Sequence, residues 1–188
     1  MKTLRKTAEE AYLKYANKII NRETWIDGFI SGIQYKKEYP QSIELCGLLW
    51  DTENLAIGGY EKDGHHYYTW QEAMDAAKAV GKRLPSCQEW KALCDLGSTW
   101  DDERKGRWFG GNHNSDHKGS LFLPAAGLRY GNGGELANAS SNGYYWSSSP
   151  YYGGDYYAGY LYFLSGGVYP LDYNYRALGF SVRCVQNK

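Results

Sequence analysis

The stretch from Tyr144 to Tyr175 constrains the fold more than any other part of the sequence, because it contains eleven of the chain's nineteen tyrosines. Gly, Ser, Asn and Asp, the residues that favour turns, are interspersed among these tyrosines. The following residues 177–185 continue in an apolar pattern that is typical of strands. We therefore expect the last part of the chain to consist of short antiparallel strands and turns.

The balance of charges excludes the usual partners of basic proteins. The sequence has 21 Lys and Arg against 21 Asp and Glu, and the lysines are scattered. A surface without a basic patch has little attraction for nucleic acid or for an anionic membrane. The first twenty residues interleave charges with apolar side chains, which predicts neither a signal peptide nor a membrane span. The expectation is synthesis in the cytoplasm without membrane insertion, and association with a virion is left open.

Residues 1–40 carry the pattern of a helical hairpin. Thr7 and Glu10 have the spacing of a capping box, and Asn21 can cap a second helix. Each helix has one apolar stripe, and two stripes cannot be buried by a hairpin alone. The hairpin should therefore pack on the main domain, mediate homo-oligomer formation or attach the chain to a phage particle. The sequence predicts a second domain over residues 41–188.

Two more helices are predicted inside that second domain. The first opens at Thr69 or Gln71 and closes at Gly81, and the second has Ser86 as its N-cap with Glu89 three residues later. Short strand-like segments dominate from residue 98 onward. With helices early and a twisted antiparallel sheet late, the expected fold class is α+β.

Five sequence segments carry a family resemblance, and they occur in a characteristic order. They read LLWDTENLAIGGY, YYTWQEAMDAAKAVGKRLPSCQEWKAL, FLPAAGLRY, GYYWSSSP and GFSVRCV. In this order they resemble the Fibrobacter-type major paralogous domain, a member of the C-type-lectin-like and formylglycine-generating-enzyme-like superfamily. The resemblance implies a C-type-lectin-like fold whose two ends meet in one sheet and whose last third forms the ligand-binding face.

Within that superfamily, the tyrosine-rich tail resembles the variable proteins of diversity-generating retroelements. In those systems the adenines of a template repeat are randomised, and an asparagine codon altered only at its adenines never encodes Lys, Glu, Gln, Met or Trp. These five residue types occupy 38 of the 188 positions, yet none occurs from Ser147 to Val185. Strands are themselves poor in Lys and Glu, so the absence supports diversification without proving it. The variable region would span about residues 144–185.

The period of two along this tail separates two sets of positions. Leu161, Phe163, Arg176 and Gly179 belong to a scaffold set that is expected to hold the fold. The residues between and beside them are expected to contact a ligand, and they are Tyr151, Tyr152, Asp155, Tyr156, Tyr157, Tyr160, Tyr162, Leu164, Tyr169, Leu171, Asp172, Tyr173, Tyr175 and Leu178. The alternative is that the tyrosines pack on one another without a ligand. However, so many tyrosines exceed what a small sheet can bury with every hydroxyl bonded.

No other motif predicts chemistry, so the expectation is a protein that is not an enzyme and has no metal and no cofactor. His113, Asp116 and His117 lie in a Gly-rich stretch that lacks a zinc-protease motif. The oxidases of the superfamily use a pair of cysteines near the terminal strand, and Cys184 has no second cysteine near it in sequence. The cysteines are expected to be reduced and buried.

The function implied by the resemblance is display of a variable ligand-binding surface, as in phage receptor binding or adhesion. Its partner would be a protein or a glycan on a cell surface. The alternative is a non-diversified member of the paralogous domain that binds glycans or serves as a cell-surface component. An oxidase of the formylglycine-generating type is a further, weaker alternative.

Overall fold

Short antiparallel strands dominate the computed structural model, which describes residues 42–111, 117–131 and 134–188. Residues 42–188 form one unit with its own core. The helical hairpin predicted for residues 1–40 lies outside the described residues. No helix in the described part of the chain is long and apolar enough to cross a bilayer.

Both helices predicted within the second domain are confirmed. The first, α1, spans Trp70–Ala79, and the Glu72 carboxylate accepts a hydrogen bond from the backbone amide of its N-cap residue Thr69 at 2.8 Å. The second, α2, spans Cys87–Asp95, and its N-cap Ser86 forms a reciprocal capping box with Glu89. These caps satisfy amide groups that would otherwise lack partners at the start of each helix.

Thirteen strands make up five small antiparallel sheets in the described residues. The sheets have the orders β1–β2–β13, β10–β11–β12, β3–β4, β5–β6–β7 and β8–β9. The strands are β1 Ser42–Leu45, β2 Leu48–Asp51, β3 Tyr60–Lys62, β4 His65–Tyr67, β5 Ser98–Asp101, β6 Gly106–Phe109, β7 Leu121–Pro124, β8 Leu128–Arg129, β9 Leu136–Ala137, β10 Asn142–Pro150, β11 Tyr157–Leu164, β12 Gly167–Tyr175 and β13 Val185–Asn187.

The expected fold class, α+β with a C-type-lectin-like fold and a twisted antiparallel sheet, is wrong for the described residues. The described chain is mostly β, with only two helices among thirteen strands, and five small sheets replace the expected single twisted sheet. The physical reason is frequent chain reversal: turns at Gly47, Gly64 and Gly127, where φ is positive, keep most strands to two to four residues. Only β10, β11 and β12 are longer.

The sheet β10–β11–β12 separates two buried clusters. Tyr144, Trp146 and Tyr160 contribute to one cluster, together with the apolar face of α1. Tyr145 and Phe163 contribute to the other, together with the apolar face of α2. Alternate side chains of a strand point to opposite faces, so β10 and β11 are buried on both sides. This double burial explains why β11 is almost continuously aromatic and apolar and why β10 has three consecutive aromatic residues, Tyr144, Tyr145 and Trp146.

Close approach of α2 to this sheet depends on Gly159. A Cβ atom at this position would lie 2.3 Å from the Cys87 Sγ and 2.9 Å from the Ser147 Oγ. Such distances are too short for any side chain, so glycine is required where the start of the helix packs on the middle strand.

A fully buried arginine fixes the end of the chain to the rest of the domain. The Arg183 guanidinium donates to the Asn54 Oδ1 at 2.7 and 3.1 Å, to the Asp51 carbonyl oxygen at 2.9 Å and to the Phe122 carbonyl oxygen at 3.1 Å. Burial lowers the pKa of Arg183. The guanidinium therefore links the segment before β13 to the loop after β2 and to β7.

Replacing Arg183 by Met should lower the free energy of unfolding by about 3 kcal/mol or more, because three buried acceptors lose their donors. Urea unfolding of the full chain, followed by tryptophan fluorescence, measures the change. The matched control is Arg104→Met, since Arg104 is exposed and its loss should change stability by less than about 0.5 kcal/mol. Equal stabilities of the two variants would contradict the central role of Arg183.

Candidate functional site

Most of the exposed aromatic side chains in the described residues lie on β12 and on the loop between β10 and β11. The structure places the predicted contact residues in three classes of exposure. Those that are exposed are Tyr151, Tyr152, Asp155, Tyr156, Tyr169, Leu171, Asp172, Tyr173 and Tyr175; those that are half-buried are Tyr157, Tyr162, Leu164 and Leu178; Tyr160 is buried. Scaffold residues Leu161 and Phe163, between these positions, are fully buried.

Four of these tyrosines form a continuous group, which we call the tyrosine cluster: Tyr151, Tyr157, Tyr173 and Tyr175. The ring centroids of Tyr157 and Tyr175 are 4.5 Å apart, those of Tyr151 and Tyr173 are 4.9 Å apart, and those of Tyr151 and Tyr157 are 5.8 Å apart. These distances are typical of favourable aromatic pairs. Tyr157 and Tyr175 lie directly opposite each other on β11 and β12, so the sheet register holds this group together.

A second aromatic pair lies on the opposite face of the same sheet. Tyr162 and Tyr169 are cross-strand partners with ring centroids 5.5 Å apart. The Tyr162 hydroxyl accepts a hydrogen bond from the Asn142 Nδ2 at 2.8 Å. Tyr162 and Leu178 pack against the cluster that contains α1. Because one flat ligand surface cannot cover both faces of a sheet, the predicted contact residues do not form a single site.

Tyr160 is a structural residue, in contrast to its predicted place on the ligand-binding face. Its ring is 4 % exposed and packs against Phe180, with ring centroids 4.9 Å apart. Its hydroxyl donates to the Asp172 Oδ2 at 3.0 Å. The side chains of β11 do alternate between two faces, but the buried cluster beneath α1 covers the face that the sequence predicted to be exposed.

The pKa is raised for two hydroxyl groups of the tyrosine cluster. The hydrogen bond to Tyr175 raises the pKa of Tyr157, and partial burial raises the pKa of Tyr173. Below the surface, burial, followed by the charge of Asp172, raises the pKa of Tyr160. Tyr157 and Tyr173 are therefore uncharged at neutral pH, so their rings can stack on a ligand and their hydroxyl groups can form hydrogen bonds with it.

The outer strand β12 is irregular in its middle. The register with β11 shifts between Tyr160 and Tyr162, where β12 has one residue more than its partner. Pro170 lies in this bulge and has no amide to offer another strand. The irregularity discourages pairing of β12 with a strand of another chain, so side chains rather than the backbone edge are available for binding.

No candidate metal site accompanies the tyrosines in the part of the chain that the structure describes. Within the described ranges, no group of three or more His, Cys, Asp or Glu side chains could hold a metal ion. His113 and Asp116 lie outside the described residues, and His117 stacks on Trp108 with ring centroids 4.2 Å apart. The cysteines are all free; Cys87 and Cys184 are buried as expected, whereas Cys46 is exposed.

A pocket that no sequence motif indicates lies away from the tyrosines. Arg129 and Tyr60 line it with Thr69 and Glu72, and its volume is about 180 Å³. Its residues come from segments far apart in the sequence and form no motif. No motif in the sequence could have indicated the pocket, since only the folded chain brings its lining residues together.

Comparison with protein families gives a match whose description names no function. A family model described as a domain of unknown function (DUF8237) matches residues 94–185. The matched range runs from the end of α2 to the start of β13 and includes the whole tyrosine-rich segment. Neither a curated protein nor a solved structure matches the chain.

Two tyrosine substitutions should separate structural from surface positions. Tyr160→Ala leaves a cavity in the cluster beneath α1 and should lower the free energy of unfolding by about 3 kcal/mol or more. Tyr152 is 98 % exposed, and Tyr152→Ala should change stability by less than about 0.5 kcal/mol. Thermal and urea unfolding of the two variants provide the comparison. A tolerated Tyr160→Ala substitution would mean that Tyr160 is not part of the core.

Proposed function

We propose that this protein binds a protein or a glycan on a cell surface through its tyrosine-rich surface, and that a diversity-generating retroelement rewrites that surface. The observation that carries the proposal is the composition of the exposed positions between Ser147 and Val185. Lys, Glu, Gln, Met and Trp are absent from this segment, although nine of its predicted contact residues are exposed. These are the positions at which a protein normally carries Lys and Glu.

The exposure of these positions removes the simplest alternative explanation of the missing residue types. Depletion of Lys and Glu in strands could account for buried β11, but not for the exposed loop at Tyr151–Tyr156 or for the outer strand β12. Edge strands are in fact commonly protected by lysine. Replacement of asparagine codons at their adenines accounts for both the missing types and the abundance of Tyr, Asp, Gly and Ser.

The physical character of the surface also suits binding. Tyrosine offers a large, rigid contact area with little loss of conformational entropy, as in antibody combining sites. The tyrosine cluster and the neighbouring loop residues Tyr152 and Tyr156 form the part of this surface that one ligand could cover. Tyr157 and Tyr175 are held by cross-strand pairing, whereas Tyr152 and Tyr156 lie on the exposed loop. Substitution of an exposed tyrosine should therefore leave the framework in place.

The coding region should be accompanied by a reverse-transcriptase gene and by a near-repeat of the segment from about Gly143 onward. Copies of the gene from related isolates should differ from the repeat only at adenines, because the mechanism alters no other base. Deep sequencing of the locus measures this directly. Variation should include the codons of Tyr152, Tyr156 and Tyr173, while those of Leu161 and Phe163 stay constant.

Two results would contradict diversification. One is a locus without a reverse transcriptase and without a repeat, and the other is variation spread over all bases and over buried codons. Either would favour the alternative, a non-diversified domain that binds glycans or belongs to the cell surface. Binding through the tyrosines could still hold in that case, so it needs a separate measurement.

Tyr156→Ala and Tyr173→Ala should each weaken binding by about 2 kcal/mol, which is roughly thirtyfold in Kd, since exposed tyrosines commonly dominate an interface. The full chain is first screened on arrays of glycans and of cell-surface proteins, and each retained ligand is then titrated. The matched control is Tyr130→Ala, because Tyr130 is 55 % exposed but lies outside the segment. Equal losses for all three variants would indicate a general effect on folding or solubility and would exclude the tyrosine surface as the contact.

A further inference from the structure

The pocket between β3, α1 and β8 contains a buried cation. Arg129, on β8, is 7 % exposed. Its backbone is fixed by reciprocal hydrogen bonds with Gly179, each 2.8 Å long. Its guanidinium carbon lies 3.9 Å from the centre of the Tyr60 ring, so one face of the group is covered by the aromatic side chain. Arg129 also lines the pocket.

Arg129 has no anionic partner in the part of the chain that the structure describes. Its side chain forms no ion pair there, and its buried Nε has no hydrogen-bond partner. The other two buried arginines, Arg107 and Arg183, donate through their guanidinium groups to several protein oxygens. A guanidinium removed from water without a partner is costly. An external anion at this position would supply the missing acceptors.

The pocket favours a carboxylate over other anions. A carboxylate is planar and matches the two parallel N–H groups of a guanidinium, whose one face is already occupied by Tyr60. Glu72 also lines the pocket and carries a negative charge, which disfavours a doubly charged phosphate more than a singly charged carboxylate.

Glu72 also indicates what the rest of the ligand must offer. Both of its hydrogen bonds to Thr69 use Oε2, so Oε1 keeps its capacity to accept from a hydroxyl group. The volume of about 180 Å³ is sufficient for a single small ring, because a cavity of about 150 Å³ holds benzene. These features together describe a small hydroxylated acid.

We propose that this pocket is a binding site for the carboxylate of a small hydroxylated acid, such as a sugar acid, with Arg129 as the carboxylate-binding residue and Glu72 as a hydroxyl acceptor. Arg129, Tyr60 and Glu72 lie outside the segment without Lys and Glu, whereas Gly179 lines the pocket from within it. The pocket would hold the same ligand class while the tyrosine surface changes, provided that Gly179 is kept.

The direct test follows the Nε–Hε resonance of Arg129 in the full chain labelled with ¹⁵N-arginine, assigned with Arg129→Lys. Glucuronate should shift this resonance at constant ionic strength, whereas glucose should not. Inorganic phosphate should bind about tenfold more weakly than glucuronate, because of the charge of Glu72 and the poorer fit to the guanidinium edge. An unmoved resonance, or phosphate binding as tight as glucuronate, would overturn the proposal.

Variants provide the second test, with affinities measured by titration calorimetry. Arg129→Lys should weaken glucuronate binding about tenfold, because lysine keeps the charge but loses the paired donors. Arg104→Lys is the matched control, since Arg104 also stacks on an aromatic ring, that of Trp108, but is exposed. It should bind glucuronate as the unaltered chain does. Equal losses in the two lysine variants would reject Arg129 as the binding residue.

The Glu72→Gln variant tests whether an anion binds in the pocket or is attracted nonspecifically to the charge of Arg129. Glutamine retains an acceptor for Thr69 and thus the capping of α1, but it removes the negative charge. Acetate, which has no hydroxyl group, should therefore bind severalfold more tightly to this variant. An unchanged affinity would place the anion away from Glu72 and contradict the proposed site. If Arg129→Lys fails to fold, this variant and the resonance of the unaltered chain decide the question.

Discussion

The buried guanidinium of Arg183 is the contact on which the arrangement of the domain depends. It is fully buried, and it joins the segment before β13 to Asn54 and to the Phe122 carbonyl group on β7. The strands are mostly short, and two to four residues of backbone pairing provide little stability by themselves. Small sheets therefore need links between them, and one group with five donors can bind several loops at once. Because β13 then pairs with β2, the two ends of the described domain lie together.

If the tyrosines bind a ligand as proposed, the short strands limit where such residues can lie. β10 and β11 separate the two clusters, and both of their faces are used in doing so. Within the tyrosine-rich segment, exposed aromatic side chains are left to the outer strand β12 and to the loop that starts at Tyr151. The tyrosine cluster can tolerate substitution because its support, the strand β11 with Leu161 and Phe163, is buried from both sides.

Local sequence signals predicted local structure well, and they failed where burial is decided by distant residues. The capping residues Ser86 and Glu89 identified α2, because a capping box depends only on neighbours in the chain. The alternation of side chains in β11 was also visible in the sequence. Which face of the strand is covered, however, depends on Phe180 and on α1, and the pattern of a single strand holds no information about these distant residues. The predicted fold class was wrong for a related reason. The turn-forming residues were recognised in the sequence, but not that the turns divide the strands among five small sheets. No sequence pattern predicted the Arg129 pocket, since its lining residues come together only in the folded chain.

Under the proposed function, a variable surface and a constant binding pocket can share one domain only if the rewritten codons avoid the positions that support both. Gly179 shows this division inside the segment itself. A Cβ atom there would lie 3.0 Å from the Arg129 Cβ and 3.3 Å from the Tyr67 Cβ, so a side chain at this position would have to displace Arg129 by a few tenths of an ångström. Tyr173, six residues earlier, is exposed, and its ring contacts that of Tyr151. If a retroelement rewrites this segment as proposed, a change at Tyr173 alters the exposed surface, whereas a change at Gly179 disturbs the position of Arg129, so the Gly179 codon should be kept while neighbouring codons vary.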